Sequence, residues 1–207
     1  MRHWRLVVLL PLFPLDVVLL PGTSLPLHIF EPRYKEMIGE CLAQKAPFGV
    51  VRALGEGIAE IGCTAEIVAV TKKYPDGRLD LVTEGRERFA VLELNQDRSF
   101  LQAEVVLVFD EPGAPAQEET ARAIEFYRQI LSLAGAAQDL SHAAQEKLSF
   151  HLAGSLPLDL EFKQKLLAIR SEGERIRQLG AHLEGILPSL RRAARKREKA
   201  GGNGHAL

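Results

Sequence analysis

The proline-rich stretch from Leu10 to Tyr34 restricts the possible folds of this chain more than any other part of its sequence. Each proline fixes φ and removes one backbone N–H donor, so the stretch can be neither a helix nor a regular central strand throughout. Pro21-Gly22 separates two apolar runs, 17–20 and 25–30, and predicts a tight turn in which glycine takes positive φ. Pro32 predicts the first residue of a helix, where its missing donor costs nothing. We therefore predict a strand, a turn, a second strand and a helix start, punctuated by Pro11, Pro14, Pro21, Pro26 and Pro32.

The residues that follow predict one helix and then several short strands. Apolar side chains from Tyr34 to Leu42 recur at the spacing of an amphipathic helix, which we expect to end near Gln44. Turn signals then recur about every eight to twelve residues, as in antiparallel β structure. Many short strands must hide their edges, which favours a compact unit that closes at least partly into a barrel. The predicted strands span residues 48–54, 63–73, 79–83, 88–94 and 100–109, with turns at Pro75-Asp76-Gly77, Glu84-Gly85 and Asn95-Gln96-Asp97.

The composition changes at the linker 110–115, and the sequence beyond it has a helical pattern. The capping-box sequence from Ser171 to Glu174 opens the last of four predicted helices, which Pro188 is expected to break or kink. The other three predicted helices span 118–133, Ser141 (as N-cap) to Gly154, and Asp159 (as N-cap) to Ile169.

A β-rich region followed by a helical region predicts an α+β chain. We expect a β subdomain over residues 1–111 and a helical subdomain over 116–190. Residues 191–207 are expected to form a basic, disordered tail.

Several short motifs carry a family resemblance. They include LFPL at 12–15, LPG at 20–22, LPLHIFEPRY at 25–34 and EGRERF at 84–89. With these motifs the chain resembles the stand-alone form of the Lon-protease N-terminal, substrate-binding domain, over roughly residues 10–187 and most strongly up to Glu111. The resemblance implies a PUA-like antiparallel β-barrel with one helix, followed by an α-helical bundle subdomain. It also implies a binding domain without peptidase activity.

Sequence signatures of catalysis and of metal binding are absent. No phosphate loop (G-x-x-x-x-G-K-[ST]), G-x-S-x-G, H-E-x-x-H or C-x-x-C motif occurs in the 207 residues. The six histidines are scattered, and the two cysteines, Cys41 and Cys63, lack metal spacing. A chain that ends at residue 207 leaves no room for the ATPase and Ser–Lys protease modules of full-length Lon. We therefore expect no catalytic residue, no cofactor and no metal.

The residues around Pro32 form the first candidate substrate-binding group. Aromatic side chains and arginine are the types that dominate binding hot spots. The alternative is that the two aromatic rings only hold the helix start against the barrel. The group consists of Phe30, Glu31, Arg33 and Tyr34.

The second candidate group lies in 84–88, the densest charged segment of the β region. Its arginines, Arg86 and Arg88, are candidates for the polar rim of a peptide-binding surface. The alternative is a solvated hairpin whose opposite charges pair weakly.

The net charge of −1 hides an asymmetry. Residues 191–199 hold six Lys/Arg and one Glu, a net charge of +5, so the rest of the chain carries −6. An acidic body argues against a nucleic-acid partner. The basic tail still leaves contact with RNA or anionic lipid open, beside the simpler role of a solubilising helix end. Free cysteines and the lack of a long apolar stretch lead us to expect a cytoplasmic protein without a membrane partner.

The expected function is that of a non-enzymatic binding module. As the resemblance implies, the module would bind exposed apolar segments of unfolded or damaged proteins, or a protease or chaperone partner. The alternative is an RNA-binding PUA-like protein that uses the basic C-terminal tail, with an affinity that falls steeply with salt. A third class, an enzyme with its site in the barrel, has no constellation of residues to support it.

Overall fold

The computed structural model describes residues 7–136 and 147–202 of the protein. These residues form a barrel part, which contains one helix, followed by a helical part. The barrel part contains β1 (Val7–Leu15), β2 (Ser24–Ile29), α1 (Pro32–Gln44), β3 (Phe48–Leu54), β4 (Gly57–Ile58), β5 (Ile61–Lys73), β6 (Leu79–Asn95) and β7 (Gln102–Leu107). The helical part contains α2 (Gln117–Leu133), α3 (Leu148–Gly154), α4 (Leu160–Ala168) and α5 (Glu172–Gly202).

Five strands of the barrel part close into a ring. They follow the order β1-β7-β6-β5-β3, and β1 also pairs with β3, which joins the two ends. β1 achieves this by changing partner along its length: residues 7–11 pair antiparallel with β7, and residues 12–15 pair parallel with β3. A closed ring removes the free edges that an open sheet would expose. The predicted α+β class and the barrel are confirmed, and the parallel pair at the point of closure is an addition to the predicted antiparallel pairing.

The first strand lies earlier in the chain than its apolar pattern predicts. Residues 17–20, expected as a strand, form a loop in which Leu19 and Leu20 are buried. The observed strand includes Pro11 and Pro14. Pro11 is the last residue of β1 that pairs with β7, and beyond it β1 pairs with β3 alone. At Pro14 one side of the strand therefore has no partner strand, and on that side the missing N–H of proline removes no hydrogen bond of the sheet.

The turn and the helix predicted from the same stretch are confirmed. Gly22 has a φ of +76°, which glycine adopts without strain. α1 begins at Pro32 and ends at Gln44, as predicted, and its buried residues Met37 and Ile38 pack with buried side chains of the strands.

Gly85 marks a close crossing of two backbones, and the turn predicted at Glu84-Gly85 is wrong. β6 continues through this position as one strand. A Cβ atom at Gly85 would lie 2.3 Å from the carbonyl oxygen of Leu20. The N–H of Gly85 donates to Thr23 at 2.9 Å, and its carbonyl accepts from Gly22 at 2.8 Å. Glycine is needed here because the loop after β1 packs directly on the strand.

α5 continues through two features that were expected to end it. Pro188 lies inside the helix, and residues 191–202 remain helical. The helix is therefore not broken at Pro188, the predicted kink stays a prediction, and the segment expected to be a disordered tail is helical as far as Gly202. Leu183 and Leu187, in the turn before the proline, are buried in the helical core, and this packing offsets the lost backbone donor.

Two helix caps are as predicted. Asp159 accepts a hydrogen bond from the N–H of Phe162 at 2.9 Å, at the start of α4. Ser171 accepts one from the N–H of Glu174 at 3.3 Å, at the start of α5. The third predicted cap, Ser141, lies outside the described residues.

Buried apolar side chains form two clusters in the barrel part and one in the helical part. Leu20 and Ile61 belong to the barrel part by sequence but pack with the helical cluster. The amide of Gln164 in α4 also donates to the carbonyl of Ile61 at 2.9 Å. The loop after β1 and the start of β5 therefore join the two parts.

Candidate functional site

The barrel part and the helical part meet at four charged side chains, Arg88, Asp110, Glu172 and Arg175, which we call the junction cluster. Arg175 is 0% exposed, Arg88 is 3% and Glu172 is 4%. Asp110, at the start of the linker, accepts hydrogen bonds from both arginines. Two guanidinium groups thus face two carboxylates, so the cluster as a whole carries no net charge, with three of its side chains buried and that of Asp110 31% exposed.

Each side chain of the junction cluster has at least one hydrogen-bond partner. Arg175 binds Asp110 at 2.5 and 2.8 Å and Glu172 at 2.6 Å. Glu172 also accepts from the N–H and the hydroxyl of Ser149 at 2.8 and 2.7 Å. Arg88 donates to two backbone carbonyls, those of Leu167 at 2.9 Å and Ile169 at 2.7 Å. The cluster therefore ties β6 and the linker to α3, α5 and the end of α4.

An aromatic ring completes this site. Phe150 in α3 is 1% exposed, and its ring centroid lies 4.2 Å from the guanidinium carbon of Arg175 and 5.6 Å from that of Arg88. Cation–π attraction is strengthened when the cation has lost its water.

Burial changes the pKa values within the junction cluster. It raises the pKa of Glu172 above the ordinary 4.5, although hydrogen bonds from Ser149 and Arg175 act the other way. Burial lowers the pKa of Arg88 despite the charge of Asp110. For Arg175, the lowering by burial is outweighed by Asp110 and Glu172, so its pKa is raised. Both arginines stay charged at neutral pH.

A cleft of about 1180 Å³ lies over the junction cluster. The linker forms one wall and the first turns of α2 form another. Phe109 lines the cleft and is 63% exposed, and Ile124 adds a partly buried apolar side chain. The charged residues along the cleft, besides the junction cluster, are Arg86, Glu87, Glu111 and Lys147.

The linker wall is held in place although Phe109 is exposed. The N–H of Glu111 donates to the carbonyl of Arg170 at 3.0 Å, and the guanidinium of Arg170 donates to the carbonyl of Phe109 at 3.0 Å. Pro112 and Pro115 further restrict the backbone. The cleft thus presents an exposed aromatic ring on a backbone that is already ordered.

A second exposed group lies where β2, β5 and β6 extend beyond the closed ring. Phe30 is 58% exposed, and its ring stacks on His28 with centroids 5.9 Å apart. The ring nitrogen Nδ1 of His28 lies 2.5 Å from Asp80, and the hydroxyl of Tyr74 donates to the same carboxylate at 2.8 Å. These hydrogen bonds lower the pKa of Asp80. We call His28, Phe30, Tyr74 and Asp80 the sheet end.

The comparisons with known proteins identify the chain's relatives. The family model described as "ATP-dependent protease La (LON) substrate-binding domain" matches residues 9–185. The chain belongs to the LON substrate-binding domain family. A solved structure, the Lon N-terminal domain protein from Xanthomonas campestris, is 30% identical with a TM-score of 0.69, over 84% of this chain and 98% of that one. The N-terminal domain of a Mycobacterium avium complex Lon protease shares the fold, with a TM-score of 0.65 at 18% identity, over 86% of this chain and 98% of that one.

Curated relatives match this LON domain over part of their length. A Lon protease from Parabacteroides distasonis is 31% identical over 110 residues, which are 49% of this chain and 13% of that protein. Protein cereblon from Xenopus tropicalis is 31% identical over 112 residues, which are 51% of this chain and 25% of that protein. The chain therefore spans only a small share of the length of these relatives.

The structure divides the sequence-predicted site residues of the LON domain among three places. Phe30 belongs to the sheet end, next in the chain to Glu31 and near Arg33, which pair with each other at 2.8 Å. Tyr34 is 7% exposed and packs on Phe13 with ring centroids 4.0 Å apart, the arrangement expected if it only holds the helix start.

The other two predicted residues lie at the cleft. Arg86 is exposed and binds Glu66 and Glu84, each at 2.6 Å, as expected of paired surface charges, although on a strand rather than a hairpin turn. Arg88 is buried in the junction cluster, where its guanidinium has internal partners. Sequence reasoning missed Phe109, Asp110 and Arg175, whose neighbours are far away in the chain.

Two observations on the described residues concern metal ligands and reactive thiols. Residues 7–136 and 147–202 contain no group of three or more His, Cys, Asp or Glu side chains that could hold a metal ion. Burial raises the pKa of the Cys41 thiol to about 11 and that of Cys63 to about 12, which disfavours the reactive thiolate. Among the described residues, none of the helices combines the length and apolar character needed to span a bilayer.

Proposed function

We propose that this LON domain is a non-enzymatic, cytoplasmic module that binds exposed apolar segments of unfolded or damaged proteins in the cleft. A protease or chaperone partner that offers such a segment would bind in the same way. The observation that carries the proposal is Phe109, an aromatic side chain that is 63% exposed in a cleft of about 1180 Å³.

The size and the lining of the cleft suit a polypeptide segment. Small-molecule pockets are commonly about 300–1,000 Å³ and bury most of their ligand, whereas this cleft is larger and open to solvent along the linker. Phe109 and Ile124 offer apolar contact area, and the ordered linker keeps the entropy cost of binding low.

The junction cluster gives the cleft little means of selecting a ligand by its hydrogen bonds. The junction cluster beneath it is already paired internally, so its guanidinium and carboxylate groups have few free bonding positions. A ligand is therefore selected mainly by its apolar surface, the property that unfolded proteins of unrelated sequence share. Membership of the substrate-binding family supports the same interpretation.

The proposal is tested by measuring binding to one globular protein in two forms, native and permanently unfolded by reduction and alkylation. We expect this LON domain to bind the unfolded form and to discriminate against the native one. Phe109→Ser should weaken that binding about tenfold, since truncation of a central aromatic residue costs on the order of 1–2 kcal/mol. Leu92→Ser is the matched control, because Leu92 is 54% exposed and is not among the residues that line the cleft.

Two results would overturn the proposal. One is equal binding of the native and unfolded forms. The other is an equal loss of affinity in the Phe109 and Leu92 variants, which would mean that general surface hydrophobicity, and not the cleft, drives binding.

A further inference from the structure

The sheet end has a surface of its own, on the outward side of β2, β5 and β6. Alternate residues of β2 are exposed, and Pro26 and His28 lie on this side, opposite Val82 and Asp80 of β6. Beyond β6, Ala69 of β5 pairs with Val82, and Lys72 pairs with Asp80. The register thus places two rows of residues side by side across the three strands. One row is apolar and contains Pro26, Val82 and Ala69, and the other contains His28, Asp80 and Lys72.

The exposed ring at this surface is held in place before any ligand binds. Phe30 stacks on His28, which is fixed by Asp80. Tyr74 contacts His28 edge-on, with centroids 5.8 Å apart, and also binds Asp80. An aromatic side chain that is 58% exposed and yet restrained contributes contact area at a low entropic cost.

The segments that carry Phe30 and Tyr74 have an excess of positive charge. Segments 28–35 and 72–80 contain five Lys/Arg and three Asp/Glu residues, an excess of two positive charges in a protein whose net charge is −1. Lys72 lies over the Tyr74 ring at 4.5 Å and Arg78 lies over it at 4.8 Å. Arg78 is paired with Asp76 at 2.7 Å, whereas Lys72 is exposed and its charge helps to lower the pKa of the neighbouring Asp80.

We propose that the sheet end is a second docking surface, which binds acidic polypeptide segments that carry an aromatic or large aliphatic side chain beside their carboxylates. The apolar side chain packs on Phe30 and Pro26, and the carboxylates face Lys72 and its neighbouring cations. A polypeptide fits better than a nucleic acid, because Glu31, Asp76 and Asp80 are interspersed among the cations and repel a continuous row of phosphates, whereas the carboxylates of such a peptide are separated by apolar side chains. The inference does not rest on the proposed function of the cleft.

The test uses short fluorescent peptides in which phenylalanine alternates with aspartate, with lysine in place of aspartate, or with serine in place of phenylalanine. We expect the Phe/Asp peptide to bind at least about tenfold more tightly than either of the others at low salt, because both the ring contact and the charge match are then present. Binding of the Phe/Asp peptide should weaken as the ionic strength rises.

Variants then locate the site. Phe30→Ser and Lys72→Glu should each lower affinity for the Phe/Asp peptide about fivefold to tenfold. Both change exposed side chains, so thermal unfolding followed by circular dichroism should confirm that the fold is retained. Phe109→Ser is the matched control at the cleft and should leave binding of this peptide unchanged.

Equal affinity for the Phe/Asp and Phe/Lys peptides would overturn the inference, as would normal binding by the folded Phe30→Ser variant. Loss of binding in Phe109→Ser would also overturn it, because the peptide would then occupy the cleft. The unfolded-protein assay is read separately, so failure at the sheet end is distinguishable from failure of the proposed cleft.

Discussion

The junction cluster and the sheet end are built from the same kinds of side chains but differ in burial. The junction cluster combines arginines with carboxylates beside an aromatic ring, and the sheet end combines a carboxylate with aromatic rings that have Lys72 and Arg78 as neighbours. At the junction, Phe150 is 1% exposed and Arg175 0%, whereas at the sheet end Phe30 is 58% exposed. Charges that have left water must all be paired, whereas exposed charges are free to exchange one partner for another.

This difference separates a structural role from a binding role. Each junction residue is committed to partners on several elements, so its loss affects how the two parts are held together. Phe30 and Lys72 have surface left for a ligand, so their loss should affect binding and leave the fold intact. The expected effects below run from the largest to the smallest.

Arg175→Ala should be the most destabilising substitution in this comparison. It leaves Asp110 and Glu172 without their main partner, and breaking a buried ion pair on one side costs about 3–5 kcal/mol. The measurement is urea unfolding followed by circular dichroism. Arg33→Ala is the matched control, because the Arg33–Glu31 pair is exposed, and its midpoint should stay within error of the parent protein. Equal midpoints for the two variants would remove the distinction between the regions.

Gly85→Ala should destabilise the protein by about 1–3 kcal/mol, because the added methyl group meets the Leu20 backbone where the loop after β1 joins the two parts. Gly39→Ala provides the opposite case. Gly39 lies in α1, and a Cβ atom there would meet nothing within 4 Å, so alanine should stabilise the helix by up to about 1 kcal/mol. Thermal unfolding of both variants checks whether stability falls in Gly85→Ala and rises in Gly39→Ala. An unchanged stability of Gly85→Ala would mean that the backbones of Gly85 and Leu20 are not packed as closely as described.

The two regions should also respond oppositely to pH. The raised pKa of Glu172 means that its contribution to stability is greatest below the ordinary value of 4.5 and is lost as the pH rises through its higher folded value. The lowered pKa of Asp80 means that its contribution is present above the ordinary value of 3.8 and is lost as the pH falls through its lower folded value.

Unfolding free energies measured across the acid range for Glu172→Gln and Asp80→Asn reveal these contributions. The advantage of the parent protein over Glu172→Gln should shrink as the pH rises above 4.5. Its advantage over Asp80→Asn should shrink as the pH falls below 3.8. If both stability differences, parent minus Glu172→Gln and parent minus Asp80→Asn, changed in the same direction with pH, the assigned directions of the two pKa shifts would be contradicted.

Local signals in the sequence predicted local structure well. α1 has its predicted start and end because Pro32 fixes the first turn and the apolar stripe is contiguous. The turn at Pro21-Gly22 likewise depends on two adjacent residues. Phe30 and Arg33 could be placed near one surface because they are neighbours in the chain.

Tertiary partners decided the features that sequence reasoning missed. β1 contains two prolines, and only the exchange of β7 for β3 makes them acceptable in a strand. Glycine favours a turn and a close backbone contact alike, so Gly85 alone does not distinguish them. Arg88 looked like a surface charge because its partners Asp110 and Ile169 lie 22 and 81 residues away. The contact of His28 with Asp80 depends on strand register.

Hydrogen exchange of the backbone amides, with and without a permanently unfolded protein, tests the central claim most directly. If apolar segments bind in the cleft, the amides of residues 108–111 and 117–124, along the linker and the start of α2, should exchange more slowly in the complex. Unchanged exchange over both ranges, in a complex that demonstrably forms, would show that the cleft is not where unfolded proteins bind.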